Sequence, residues 1–184
     1  MRQGKIYAGV DLSDNEYLVT LGSRSSESSL IDVKHGWAVE NSEGRFLMRA
    51  KDRVSPGKMV DFHDDEGNEI LKLLAANRSR IQSSKYVLVV PDQDRQIGTL
   101  EQQGRFSRTW RFSGAESGEI CTVKKSWIPV GSTMEVKRDD GSTAATVEVS
   151  KSGTKRRLYF GSVELDVKLL ILAASPVLAK NLMR

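Results

Sequence analysis

The C-terminal run Leu169-Leu-Ile-Leu-Ala-Ala-Ser-Pro-Val-Leu-Ala179, eleven residues between Lys168 and Lys180, most constrains what this chain can fold into. Its apolar side chains surround a helix axis on nearly all sides, and a helix that is apolar all round is buried all round. A membrane-spanning helix needs about 20 apolar residues, so the run is too short to span and reads as a buried core helix over about 166–183. The chain of 184 residues has room for one domain. Asp166 suits the positive end of the helix dipole, and Lys180 and Arg184 suit the negative end. Pro176 removes one helical hydrogen bond.

Ahead of the helix the sequence reads as β. Short alternating or β-branched runs flank acidic or glycine turns. Five hairpins are expected, with turn centres near Gly44, Gly67, Asp94, Gly118 and Gly141, spaced 23 to 27 residues apart. Asp-Gly and Glu-Gly tips suit tight hairpins because glycine tolerates positive φ. The five units make about ten strands, and Tyr17–Leu21 and Arg157–Val163 add two more. So many antiparallel strands most easily protect their edges by closing on themselves. The enclosure that covers every face of the helix is then the barrel interior. The expected fold is mainly β: a closed antiparallel β-barrel of about twelve strands, built from hairpin repeats around a central hydrophobic C-terminal α-helix. Residues 17–184 form this single barrel. Residues 1–16 form an N-terminal segment read as partly disordered, and the serine-rich Gly22–Ser29 reads as a mobile loop.

Enzyme constellations are missing from the sequence. There is no H-E-x-x-H, no G-x-S-x-G and no Walker-type Gly-Lys-Ser. Two histidines and one cysteine do not make a His-based cage or a structural zinc site. Cys121 lies in an apolar strand and reads as an inert core thiol. Trp37, Trp110 and Trp127 read as core residues, and His63, beside Asp64, Asp65 and Glu66, as part of a solvated hairpin tip. No cofactor and no enzymatic activity are expected. The single cysteine points to a reducing, intracellular compartment. With no signal-peptide-length apolar run at the N-terminus, a cytoplasmic chain with peripheral plasma-membrane association is expected.

Two local patterns carry a resemblance. Trp37-Ala-Val-Glu-Asn-Ser-Glu-Gly-Arg-Phe46 and Val60-Asp-Phe-His-Asp-Asp-Glu-Gly-Asn-Glu-Ile70 are similar to an aromatic–x–Val/Ile–x–Asp–x–x–Gly–x–x–apolar hairpin repeat. Leu165-Asp166-Val167-Lys168, followed at once by the apolar run, resembles the start of the last helix in phospholipid scramblases. Over roughly residues 15–184 the chain thus resembles the tubby C-terminal fold, shared by tubby proteins, scramblases and the LURP-one-related proteins of plants. The last match best in size. Where scramblases carry an acidic, calcium-associated segment before the final helix, this chain has the basic Gly153-Thr-Lys-Arg-Arg-Leu-Tyr-Phe160. The resemblance implies phosphoinositide binding through basic residues on the outside of the barrel, since tubby domains do this.

The cations fit that implication. Lys and Arg number 28 against 24 Asp and Glu, a net charge of +4, which permits an anionic partner without requiring one. Strand alternation over 45–53 puts Phe46, Met48 and Ala50 on one face and Arg45, Arg49, Lys51 and Arg53 on the other. Such a row attracts phosphate. Lys124 and Lys125 join it as candidate phosphate-binding residues, and the run Lys155-Arg156-Arg157 adds further cations. The expected function is a non-enzymatic module docking peripherally on anionic phospholipid, with no transmembrane span. A scramblase-like lipid-moving protein, a nucleic-acid binder and a protein-interaction scaffold stay open as alternatives. Nucleic acid is the weaker partner because no aromatic platform interleaves the cations.

Overall fold

A computed structural model describes residues 6–21, 36–52, 60–76, 84–104, 107–124, 131 and 133–180, without the side chains of residues 21, 51, 52 and 176–180. The strands are β1 (Ile6–Tyr7), β2 (Val10–Asp11), β3 (Glu16–Leu21), β4 (Trp37–Asn41), β5 (Phe46–Asp52), β6 (Val60–His63) and β7 (Glu69–Ala75). They continue with β8 (Lys85–Val90), β9 (Arg95–Gln102), β10 (Thr109–Gly114), β11 (Ile120–Lys124), β12 (Thr133–Arg138), β13 (Thr143–Val149) and β14 (Lys155–Phe160). One helix follows, α1 (Leu165–Lys180). Strands β3 to β14 form a closed antiparallel barrel in which each pairs with the next in sequence and β14 returns to β3. The expected twelve-strand barrel is the fold observed. Its helix begins one residue earlier than expected and is described to Lys180, and residues 181–184 lie outside the described residues.

The five turn centres read from the sequence all lie at hairpin tips with positive φ: Gly44 at 78°, Gly67 at 87°, Asp94 at 47°, Gly118 at 69° and Gly141 at 83°. Inward positions alternate along each strand and make one core. Tyr17, Val19, Met48, Phe62, Leu71, Leu88, Leu100, Phe112 and Leu158 are all sealed from solvent. Trp37 and Trp110 are buried as expected, and Trp127 lies outside the described residues. Cys121 is completely buried, and burial pushes its thiol up to about 11, so it is an inert core group.

The helix fills the lumen. Val167, Leu169, Leu170, Leu172, Ala173 and Ala174 have no exposed surface. It packs against β9 and β10, where two glycines, Gly98 and Gly114, stand opposite each other in the ladder. A Cβ at Gly98 would lie 2.6 Å from the Ser113 carbonyl oxygen and 3.0 Å from Leu170 Cδ2, so only glycine lets the helix approach this closely. Pro176 cannot donate to Leu172, and the Ser175 hydroxyl takes its place, donating to the Leu172 carbonyl at 2.9 Å. The bond lost to proline is thus replaced one residue earlier, and the helix continues.

Two buried charges fix the first turn of α1. Asp166, 2% exposed, accepts hydrogen bonds from Glu116 N (3.0 Å), Ser117 N (2.8 Å) and Ser117 Oγ (2.7 Å), tying the β10–β11 tip to the helix. Lys168 donates to the backbone carbonyls of Leu12 (3.0 Å) and Asp14, with its ammonium 5.2 Å from the centre of the Tyr17 ring. Lys168 therefore holds the N-terminal segment down. Within the N-terminal segment, residues 6–16 pack against the rest of the chain. Val10 and Leu12 are buried, β1 and β2 form a small hairpin, and β3 already starts at Glu16. What the sequence pattern could not show is that a lysine bordering the apolar run turns into the protein and binds main-chain carbonyls. Residues 1–5 and the Gly22–Ser29 loop lie outside the described residues.

Candidate functional site

The row proposed over Arg45–Arg53 is broken by a β-bulge. Val39 pairs with Met48 while Glu40 pairs with Phe46, leaving Leu47 as the extra residue. Leu47 turns inward and is buried, and Phe46 moves to the outer face with Glu40, which corrects the inward position expected for it. Arg45 then belongs to the β4–β5 tip. Its backbone N–H donates to Asn41 Oδ1 at 2.8 Å and its guanidinium lies 3.8 Å from Asp11. Arg49 does face outward, with its guanidinium 5.4 Å from the centre of the Phe46 ring. Lys51 pairs with Asp61 on β6, and its side chain lies outside the described residues. Arg53 and Lys125 also lie outside them.

The remaining candidate, Lys124, stands on the other side of the molecule. Its strand β11 is six strands from β5 in either direction around the barrel. Arg49 and Lys124 therefore occupy opposite walls and cannot meet one flat surface together. The two walls also differ in how their charges are held. On the β5–β7 side Arg45, 71% exposed, lies 3.8 Å from Asp11, Lys72 binds Glu69 at 2.7 Å, and Arg49 lies on Phe46. His63, expected at a hairpin tip, is the last residue of β6, half-buried and opposite Arg49.

The β10–β12 wall carries a groove. It has a volume of about 570 Å³ and is lined by Thr122, Lys124, Thr133, Met134, Glu135 and Lys137. Alternation explains the membership: 122 and 124 on β11, and 133, 135 and 137 on β12, all face outward. The register places Arg111, Thr122 and Lys137 side by side on three adjacent strands, so Arg111 and Lys137 are separated by about 10 Å of sheet. Lys124 is exposed. Lys137 is bridged to Glu135 at 3.2 Å, with both side chains about half exposed (50% and 52%). Arg111 is half-buried, and its Nε is shielded from solvent with no hydrogen-bond acceptor among the described residues. Two lysines and two threonine hydroxyls thus line one open groove, with Arg111 on the adjoining strand beside Thr122, which is a donor set for an oxoanion.

The sequence reading named Lys124 in this groove but did not bring Arg111, Lys137, Thr122, Thr133 and Glu135 to it. The alternation of β11 and β12 was legible, whereas their mutual register was not, because residues 125–132 separate them. The run Lys155-Arg156-Arg157 shows a second gap. Lys155 and Arg157 face outward, but Arg156 faces inward and is 4% exposed, donating to the Ser175 carbonyl at 2.8 Å. Burial alone pulls its guanidinium down to about 10, so it remains charged at neutral pH inside the barrel. It plays no part in the outer surface.

Among the described residues no helix is long and apolar enough to cross a membrane. No protein-family model matches this chain, and no curated protein sequence matches it. Among solved structures, a protein from Arabidopsis thaliana, AT5G01750, determined by X-ray diffraction, is similar over 92% of each chain with a TM-score of 0.56. At 11% identity this likeness extends to the fold alone: the chain is similar in fold to that plant protein.

Proposed function

We propose that this protein is a non-enzymatic, peripheral binding module for anionic membrane phospholipid, of the tubby-like and LURP-one-related kind, and that the β10–β12 wall is its contact face. The observation that carries this reading is the open groove lined by Lys124 and Lys137, with Arg111 on the adjoining strand beside Thr122. Cations held near an anionic surface contribute about 1 kcal/mol each, enough for reversible docking and too little for permanent insertion. The central helix supports the peripheral mode over a lipid-moving one. Its described apolar side chains are all spent on the barrel interior, and exposing them would empty the core.

Co-sedimentation with vesicles across a salt series tests the proposal. Binding is expected to vesicles containing phosphatidylserine or phosphoinositide, to be absent for phosphatidylcholine alone, and to weaken as salt screens the contact. No binding to anionic vesicles at low salt would remove the lipid reading and leave this wall merely solvated.

A further inference from the structure

The groove already contains an anion of its own. Glu135 lies within it, on the same outward face as Lys137, and bridges that lysine at 3.2 Å. Continuing the β11–β12 register by one pair sets Glu135 beside Lys124 as well. A carboxylate among the groove's lysines makes no sense as a contributor to phosphate binding, because it repels the ligand and occupies one of its donors. It does make sense as a resident competitor. We propose that Glu135 fills the phosphate position when the wall is free, and that a lipid head-group phosphate must displace it from Lys137 to dock. This inference rests on the peripheral-binding reading and names the residue that sets the affinity of that site.

The physical case is an exchange of partners. A half-exposed Lys–Glu pair is weak, within about 1 kcal/mol of no net interaction, so a phosphate clustered with others at a membrane surface can outcompete it. A phosphate that also takes the Thr122 and Thr133 hydroxyls and Lys124 gains donors that the single carboxylate of Glu135 does not fill together. The pair therefore keeps Lys137 from binding isolated anions while yielding to a dense anionic surface. Glu148, outward on the neighbouring strand β13 between Thr133 and Arg157, has the same charge at the groove's edge and does not bridge Lys137. It is the natural control.

The experiment measures half-binding lipid concentration on vesicles of phosphatidylcholine with 20–30% phosphatidylserine, about the anionic fraction needed for a strong surface potential. The full chain is compared with E135Q, E148Q, K137M and the E135Q/K137M and E148Q/K137M pairs. E135Q is expected to bind about fivefold more tightly, as one removed repulsive charge near the surface implies. E148Q is expected to gain less. The decisive result is in the double variants. The gain from E135Q should shrink to about that of E148Q when Lys137 is already methionine, whereas the gain from E148Q should be unchanged, because both remove one surface charge and only the first also frees Lys137. Equal gains from E135Q and E148Q, or an E135Q gain that K137M leaves undiminished, would overturn the competitor role while leaving peripheral binding intact. Failure of every variant to bind at low salt would overturn both. Circular dichroism on each variant separates lost binding from lost folding, and these outer-wall changes are expected to leave stability within about twofold of the wild-type equilibrium.

Discussion

Charges inside the barrel and charges on its outer wall follow opposite rules here. Inside, Asp166 has four hydrogen bonds to backbone and hydroxyl donors from the β10–β11 tip and its own helix, and Lys168 holds two main-chain carbonyls. Outside, Lys137 and Glu135 share one half-exposed bridge, and Lys124 stands free to meet solvent. The first kind is buried because it assembles the fold, and removing Asp166 or Lys168 leaves several part-buried backbone groups without their charged partner. The second kind is replaceable without structural cost and is therefore available for binding.

The comparison can be broken most severely at Asp166. Asp166→Ala leaves the amides of Glu116 and Ser117 without their carboxylate, and is expected to cost about 3 kcal/mol, since a hydrogen bond to a charged group is worth about 1.5–3 kcal/mol and the exposed tip can rehydrate in part. Chemical denaturation measures it, and a loss under about 1 kcal/mol would show that the tip and helix are not coupled. Gly98→Ala comes next. Its Cβ meets the Ser113 carbonyl at 2.6 Å and Leu170, so the helix must shift, at about 1–3 kcal/mol by the same measurement. Arg156 tests the rule from the other side. It is an interior charge whose bond to the Ser175 carbonyl is opposed by burial, with no carboxylate at hand among the described residues. Arg156→Met is accordingly expected to change stability by no more than about 1 kcal/mol. A loss as large as that of Asp166→Ala would mean that the guanidinium is essential to seating the helix.

The smallest effect is expected at the N-terminal segment. The Ser13 hydroxyl and amide bonds, with Arg45 nearby, hold Asp11 below its ordinary value of 3.8. A carboxyl depressed in the folded state contributes stability that is present above its unfolded pKa and is lost as pH falls through the folded one. The hydrogen-exchange protection factors of the Val10 and Leu12 amides should therefore fall below about pH 3.8, while those of the central strands do not. A uniform loss of protection across the barrel would contradict a locally held segment.

The fold was more legible than the site, for a physical reason. Turn positions depend on local chemistry, so Gly44, Gly67, Asp94, Gly118 and Gly141 could be read one hairpin at a time. The helix needed only its own composition to demand a surrounding wall. A binding face instead depends on which strands become neighbours. The bulge at Leu47 that separates Arg45 from Arg49, the inward turn of Arg156, and the register that joins Arg111 to Lys137 are all products of pairing. Alternation located Lys124 and Arg49 on outer faces but carried no information that these faces lie on opposite sides.

That opposition gives the most direct test of a single docking wall. Lys124→Glu/Lys137→Glu and Arg49→Glu/Lys51→Glu change net charge equally, one pair on each side of the barrel. Binding to phosphatidylserine vesicles at low salt, measured by co-sedimentation, is expected to fall at least about 100-fold for the Lys124/Lys137 pair at roughly 1 kcal/mol per unit charge. The Arg49/Lys51 pair should lose only the few-fold that net charge alone imposes. Equal losses would show that the protein meets the membrane through its overall charge, and a larger loss from Arg49/Lys51 would place the docking face on the opposite wall.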